Sequence, residues 1–160
     1  MTKAKLTSRP TAEQDIAFIA LNLWDRGDVE IRNYGLHSRE HLKDHLFGMF
    51  SHSRYHSECL LDGEEPVAVF GAYQIGDNDF STWFIATERF QEFGLQITRY
   101  LTRFIKAEIN TRPPGVYLEL VSSSEHPHAP EWFKAIGFEK KKEQGTAFTT
   151  YVYKGRIKRG

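Results

Sequence analysis

Two side chains in the C-terminal half have the right chemistry for proton transfer, and they lie seven residues apart. Glu119 sits within Val116-Tyr-Leu-Glu-Leu-Val121, and His126 within the run Ser122-Ser-Ser-Glu-His126-Pro-His128 that follows. A carboxylate or an imidazole can take a proton from a nucleophile, and histidine titrates nearest to neutrality. Glu119 alternates with Leu118 and Leu120, so it faces away from them on a strand. Two roles remain open for it, a base in a cleft and the wet side of a sheet. His126 is read as either an acid or base or an ordering group in its loop.

A second stretch has the form of an anion site. Trp83-Phe-Ile-Ala-Thr87 reads as a short apolar strand, and a Gly94-bearing turn leads into a helix with Ile97, Leu101, Phe104, Ile105 and Ile109 on one face. The first N–H groups of such a helix lack partners in their own chain, and its dipole favours negative charge. His41 and His45 stand one helical turn apart, but no third ligand is placed by spacing, so they are read as helix-surface histidines and no metal is expected.

The elements that must position these residues are legible from pattern. Thr11 to about Trp24 is predicted as a helix capped by Thr11 with Gln14 completing the box, and Ser38 caps a second helix carrying Leu42, Leu46, Met49 and Phe50. Asp25 to Leu36 reads as a polar connection. Ser57–Leu61 and Val67–Tyr73 flank Asp62-Gly63 as a hairpin. A short helix ends at Gly137, and Phe138–Glu143 with Phe148–Lys154 form a closing antiparallel pair.

The totals bound the class. At 160 residues the chain is long enough for one well-filled core, and 21 basic residues balance 21 acidic ones. That balance argues against nucleic acid as a partner. The single cysteine, Cys59, excludes an internal disulfide and is read as core. With no signal-peptide pattern and no membrane-length apolar run, a cytoplasmic protein is expected.

The segment Gln91-Glu-Phe-Gly94-Leu-Gln96 resembles the Q/R-x-x-G-x-G/A turn of the GNAT acyltransferases. Ala129-Pro-Glu-Trp-Phe133-Lys-Ala-Ile-Gly137-Phe138 resembles that family's A-x-x-x-Y-x-x-x-G-F helix. The likeness spans Ser8 to Tyr153 and implies an α/β (α+β) GNAT fold, a mixed and mostly antiparallel central sheet flanked by about four helices. One domain, 1–160, is expected, with a core of about 8–153 and a basic tail 154–160. Within the superfamily the chain is similar to the GNAT-like proteins of T7-type short-tailed phages, the internal virion protein group. The Ser-Ser-Ser-x-His-Pro-x-His run and the Pro-Val-Ala-Val-Phe-Gly hairpin carry that likeness.

The resemblance implies acetyl-CoA or another acyl-CoA as donor and a small amine or protein amine as acceptor. Backbone groups of Ile85, Ala86 and Thr87 would meet the pantetheine arm. Gln91, Glu92, Phe93, Gly94, Leu95 and Gln96 would wrap the pyrophosphate, and Phe133 would face the coenzyme sulfur. Three residues depart from the family pattern: Gln96 where Gly or Ala is usual, Phe133 where a Tyr often donates a proton, and His126 where an Asn is common. Glu88 and Glu92 would repel the pyrophosphate, and Arg89 would attract it. The alternative is a catalytically inactive member that binds a phage or host protein, in the host cytoplasm or the virion. A homodimer through an edge strand after Phe148 is a further possibility.

Overall fold

The computed structural model describes residues 4–50, 56–110, 116–123, 127–143 and 148–153. In chain order the elements are β1 (Thr7–Pro10), α1 (Glu13–Leu21), α2 (Asp25–Asn33), α3 (Arg39–Phe50), β2 (His56–Asp62), β3 (Glu65–Gln74), β4 (Asp79–Ala86), a 3-10 helix (Glu88–Phe93), α4 (Gly94–Asn110), β5 (Tyr117–Ser122), α5 (Ala129–Ile136), β6 (Phe138–Glu143) and β7 (Thr149–Tyr153). The strands form one sheet in the order β1-β2-β3-β4-β5-β7-β6. Every neighbouring pair is antiparallel except β4 and β5. That parallel pair requires a crossover, which the 3-10 helix and α4 supply.

Side-chain alternation divides the sheet into two packed faces. Leu60, Phe70, Phe80, Leu118, Phe138 and Tyr151 pack with α4 and α5 on one face, and Phe70 meets Phe104 edge-on at 4.8 Å. On the other face Cys59, Leu61 and Val69 pack with Ile19, while Ile16, Ala20 and Leu23 cluster with Ile31, Leu42 and Leu46 of α2 and α3.

Local chemistry explains where several elements start and where the sequence reading needs correction. α1 opens at Ala12 rather than Thr11, because Asp15, not Gln14, reaches back to accept from the Ala12 N–H at 2.9 Å. The buried Asp15 carboxylate is also paired with Arg9 at 2.7 Å, so its charge is not left unsatisfied. The polar stretch after Trp24 folds as α2, one of five α-helices among the described residues. Ser38 caps α3, its Oγ accepting from His41 N–H at 3.0 Å. Gly63 takes a φ of 62° at the β2–β3 turn, a conformation that favours glycine. The strand after Phe148 is not an edge: β7 lies between β5 and β6. The free edge there is β6, Phe-Glu-Lys-Lys-Lys-Glu, and charge of that kind discourages edge pairing.

Candidate functional site

The parallel seam is where the sheet opens. β4 and β5 are joined from Asp79/Tyr117 to Thr82/Leu120, after which β4 continues alongside β3 alone. Thr87 N–H donates to Val67 O at 3.0 Å, so by alternation Ile85 and Trp83 direct their backbone groups to β3. Phe84 and Ala86 then direct theirs to the opposite edge, where Trp24 takes the Ala86 carbonyl and the other groups face the opening. Of the three strand residues expected there, Ala86 keeps its N–H toward the opening, while Ile85 and the Thr87 N–H serve the β3 ladder. Phe84, not singled out from sequence, also faces the opening. The far end is closed by the α1–α2 connection: Trp24 N–H donates to Ala86 O at 3.1 Å, and Leu23 bridges Thr87.

A chain of aromatic rings runs past Phe84 of β4. Trp24 meets Phe90 at 4.9 Å, Phe90 meets Phe84 at 6.2 Å, Phe84 meets Trp132 at 5.3 Å, and Trp132 meets Phe133 at 5.7 Å. Trp132 is held by its indole N–H, which donates to Thr98 Oγ1 at 2.8 Å. Beside Phe84 lies a small apolar cavity of about 30 Å³, lined by Thr82, Phe84, Leu101, Phe104, Leu120 and Trp132 among others. Two buried polar atoms lack a partner among the described residues: Trp83 Nε1, on the face that packs with Ile19 and Val69, and Ser123 Oγ, just past the end of β5. Ser123 is only 5% exposed. A buried orphan donor is uncommon, because it loses its water without replacement.

Glu119 is the register partner of Ser81, one pair before the strands part. It is half-buried on the face opposite Leu118, and Tyr117 Oη donates to its Oε2 at 3.2 Å. Lys141 Nζ in turn donates to Tyr117 Oη at 3.3 Å. From α2 the Tyr34 hydroxyl reaches Val121 O at 2.7 Å, and Phe148 stacks edge-on against its ring at 4.9 Å. The Tyr34 ring is half exposed, but loss of water around its hydroxyl, with Glu30 and Tyr73 nearby, pushes the phenol up to about 12, so it stays a neutral donor. His126 lies outside the described residues. His41 Nδ1 accepts from the His37 backbone N–H at 3.2 Å, and among the described residues no group of three metal-binding side chains converges.

The expected glycine turn takes another form. Residues 88–93 are a 3-10 helix running directly into α4, and Gly94 has helical angles, φ −48° and ψ −45°. The true N-terminus of this helical run is at Thr87, whose Oγ1 accepts from Arg89 N–H at 3.3 Å. Gln96 turns away towards the chain's start, accepting from Leu6 N–H at 2.8 Å and donating to Ala4 O at 3.1 Å. Phe93 is buried in the core and Leu95 is exposed. Gln91 donates to Glu88, which accepts from Asp25 N–H at 2.8 Å and so caps α2. Arg89 pairs with Glu92 at 3.1 Å, with Asp62 at 2.6 Å and with Glu65. Phe133 is 7% exposed and packs edge-on against Tyr151 at 4.9 Å.

A seven-stranded, mostly antiparallel sheet that parts at its one parallel pair, with helices on both faces, defines the GNAT fold. Solved structures agree. An acetyltransferase from Thermus thermophilus superposes with a TM-score of 0.61 at 22% identity, covering 95% of this chain and 98% of that one. An aminoglycoside acetyltransferase in complex with coenzyme A gives 0.66 at 17% identity, with 95% of each chain covered. A variant of the spermidine N-acetyltransferase from Vibrio cholerae gives 0.64 at 14% identity, with 92% of each covered. At these identities the likeness establishes the fold. No protein-family model matches the sequence, and no curated protein matches it. No helix of the described residues is long and apolar enough to cross a membrane.

Proposed function

We propose that the chain is an acyl-CoA-dependent N-acyltransferase acting on a small amine or a protein amine. The observation that carries this is the parting of β4 from β5 after Thr82 and Leu120, with the backbone groups of Phe84 and the N–H of Ala86 turned into the gap. Those backbone groups suit the amides of a pantetheine arm. The neighbours that hold coenzyme A or acetyl-CoA share this fold, which supports the same donor here.

Bound acyl-CoA supplies the acyl group activated as a thioester. Phe84 and Ala86 align the arm along β4, and the flanking rings exclude water. Glu119, one pair below the opening, takes the proton that the amine loses as its nitrogen bonds the acyl carbon and the carbon–sulfur bond breaks. Phe133 has no proton to return to the sulfur. Because a thiol's ordinary pKa is about 8.5, the thiolate leaves without that proton and takes one from water. The Ser122–His128 run supports placing the chain with phage GNAT-like proteins acting in a host cytoplasm. A second reading, an inactive fold that binds a phage or host protein, is favoured by the buried, hydroxyl-less Phe133.

The test is release of free thiol from acetyl-CoA in the presence of polyamines, aminoglycosides and peptides with free N-termini. Release with any one acceptor supports the transferase. No release with any of them, together with no heat on titration of acetyl-CoA, overturns it in favour of the second reading.

A further inference from the structure

Resting on the transferase reading, we infer that this site recognises the donor through its pantetheine thioester arm and gains almost nothing from the nucleotide diphosphate. Four observations lead there, all in the segment that follows β4. The guanidinium of the 3-10 helix, Arg89, is committed on three sides: Nη2 to Asp62, Nη1 to Glu65 and Nε to Glu92. Its ring-side face rests on Phe93, with 5.5 Å to the centroid. Arg89 therefore ties the β2–β3 turn to the crossover, and an approaching phosphate would have to displace carboxylates to reach it.

Those carboxylates are themselves the second observation. Asp62, Glu65 and Glu92 outnumber the one cation between them, and Glu88 adds a fourth negative charge at the start of the same helix. Arg39, whose charge is felt at Glu88, is held in a fork by Asp28 at 3.0 Å on both prongs. A diphosphate carries at least two negative charges, and like charges at close range repel.

Third, Gly94 opens no glycine loop: the 3-10 helix runs directly into α4 with Gly94 in a right-handed helical conformation, and the Arg89 N–H at the start of the run is already taken by Thr87 Oγ1. Fourth, Gln96, the side chain that might have offered an amide to phosphate, is spent on Leu6 and Ala4. Nothing comparable blocks the arm: Phe84 directs both backbone groups, and Ala86 its N–H, away from β3 toward the opening.

The experiment is calorimetric titration of the full chain with acetyl-CoA and, separately, with S-acetylpantetheine, which keeps the thioester arm and lacks the nucleotide. Affinities within about three-fold of one another are expected. Raising the salt should leave acetyl-CoA binding unchanged or slightly tighter, since screening weakens repulsion. Acetyl-CoA binding tighter by about ten-fold or more, or weakened by salt, overturns the inference while leaving the transferase reading intact. Binding of neither ligand overturns both. The combined variant Asp62→Asn, Glu65→Gln, Glu92→Gln should release Arg89 and shift preference towards acetyl-CoA by about ten-fold. An unshifted preference in a folded variant would show that these carboxylates do not set it.

Discussion

Thr82 Oγ1 donates to the backbone carbonyl of Glu119 at 3.1 Å, a side-chain tie across the parallel seam just where β4 and β5 are about to part. The residue proposed as base is thus held in place by the last pair of the joined ladder.

Thr82→Val keeps the shape and β-branching and removes only that tie. Loss of one such bond costs about 1 kcal/mol. In a domain of this length the melting temperature should fall by roughly 2–4 °C, read by calorimetry. An unchanged melting temperature would show the tie to be idle.

Glu119→Gln tests the proton role directly. The amide still accepts from Tyr117 Oη, so packing is preserved, but it cannot take a proton. Turnover should fall by about 10²- to 10⁴-fold with donor affinity unchanged. Equal turnover would return Glu119 to the wet side of the strand.

Gly94→Ala reports on the helix junction. An added Cβ meets nothing within 4 Å, and the backbone is already helical. The variant should be more stable by about 0.5–1 kcal/mol, with acetyl-CoA affinity unchanged. A loss of binding would place the donor against this backbone.

Phe133→Tyr puts a hydroxyl between α5 and Tyr151 in the core. Burying it without a sure partner should destabilise by about 1–3 kcal/mol and leave turnover as it was. Raised turnover would mean that position 133 reaches the sulfur after all.

Cys59 is fully buried, and burial pushes its thiol up to about 12. A thiol-specific reagent should therefore label nothing in the native protein and one group per chain after denaturation. Because the folded value lies above the unfolded one, the associated stability is whole below the ordinary thiol range and drains as pH climbs towards 12. Rapid native labelling at neutral pH would contradict this placement.

Much of the fold was legible along the chain because it is written in short-range patterns. The hairpin at Asp62-Gly63, the stripe from Ile97 to Ile105, the cap at Ser38 and the closing strands from Phe138 follow from periodicity and turn chemistry that neighbours along the chain decide. α2 was not legible: in Asp25–Asn33 only Ile31 and Gly27 are buried, too few to show a stripe.

The opening between β4 and β5 was legible in its location but not in its contacts. Residue types placed a strand, a crossover helix and a second strand side by side, and with them Glu119 at the seam. Which backbone groups face the opening depended on the register with β3, a partner distant in sequence. The same holds for the charges. Arg89 reads as a free cation in the chain, yet Asp62, 27 residues earlier, and Glu65, 24 earlier, meet it only once the β2–β3 turn folds against the crossover. Gln96 likewise finds its partners 90 and 92 residues away, at Leu6 and Ala4. Sequence by itself determined the architecture, because secondary structure and burial are local and periodic. Tertiary structure alone decided the electrostatics of the site, because a charge is neutralised by whatever the fold brings within a few ångströms of it.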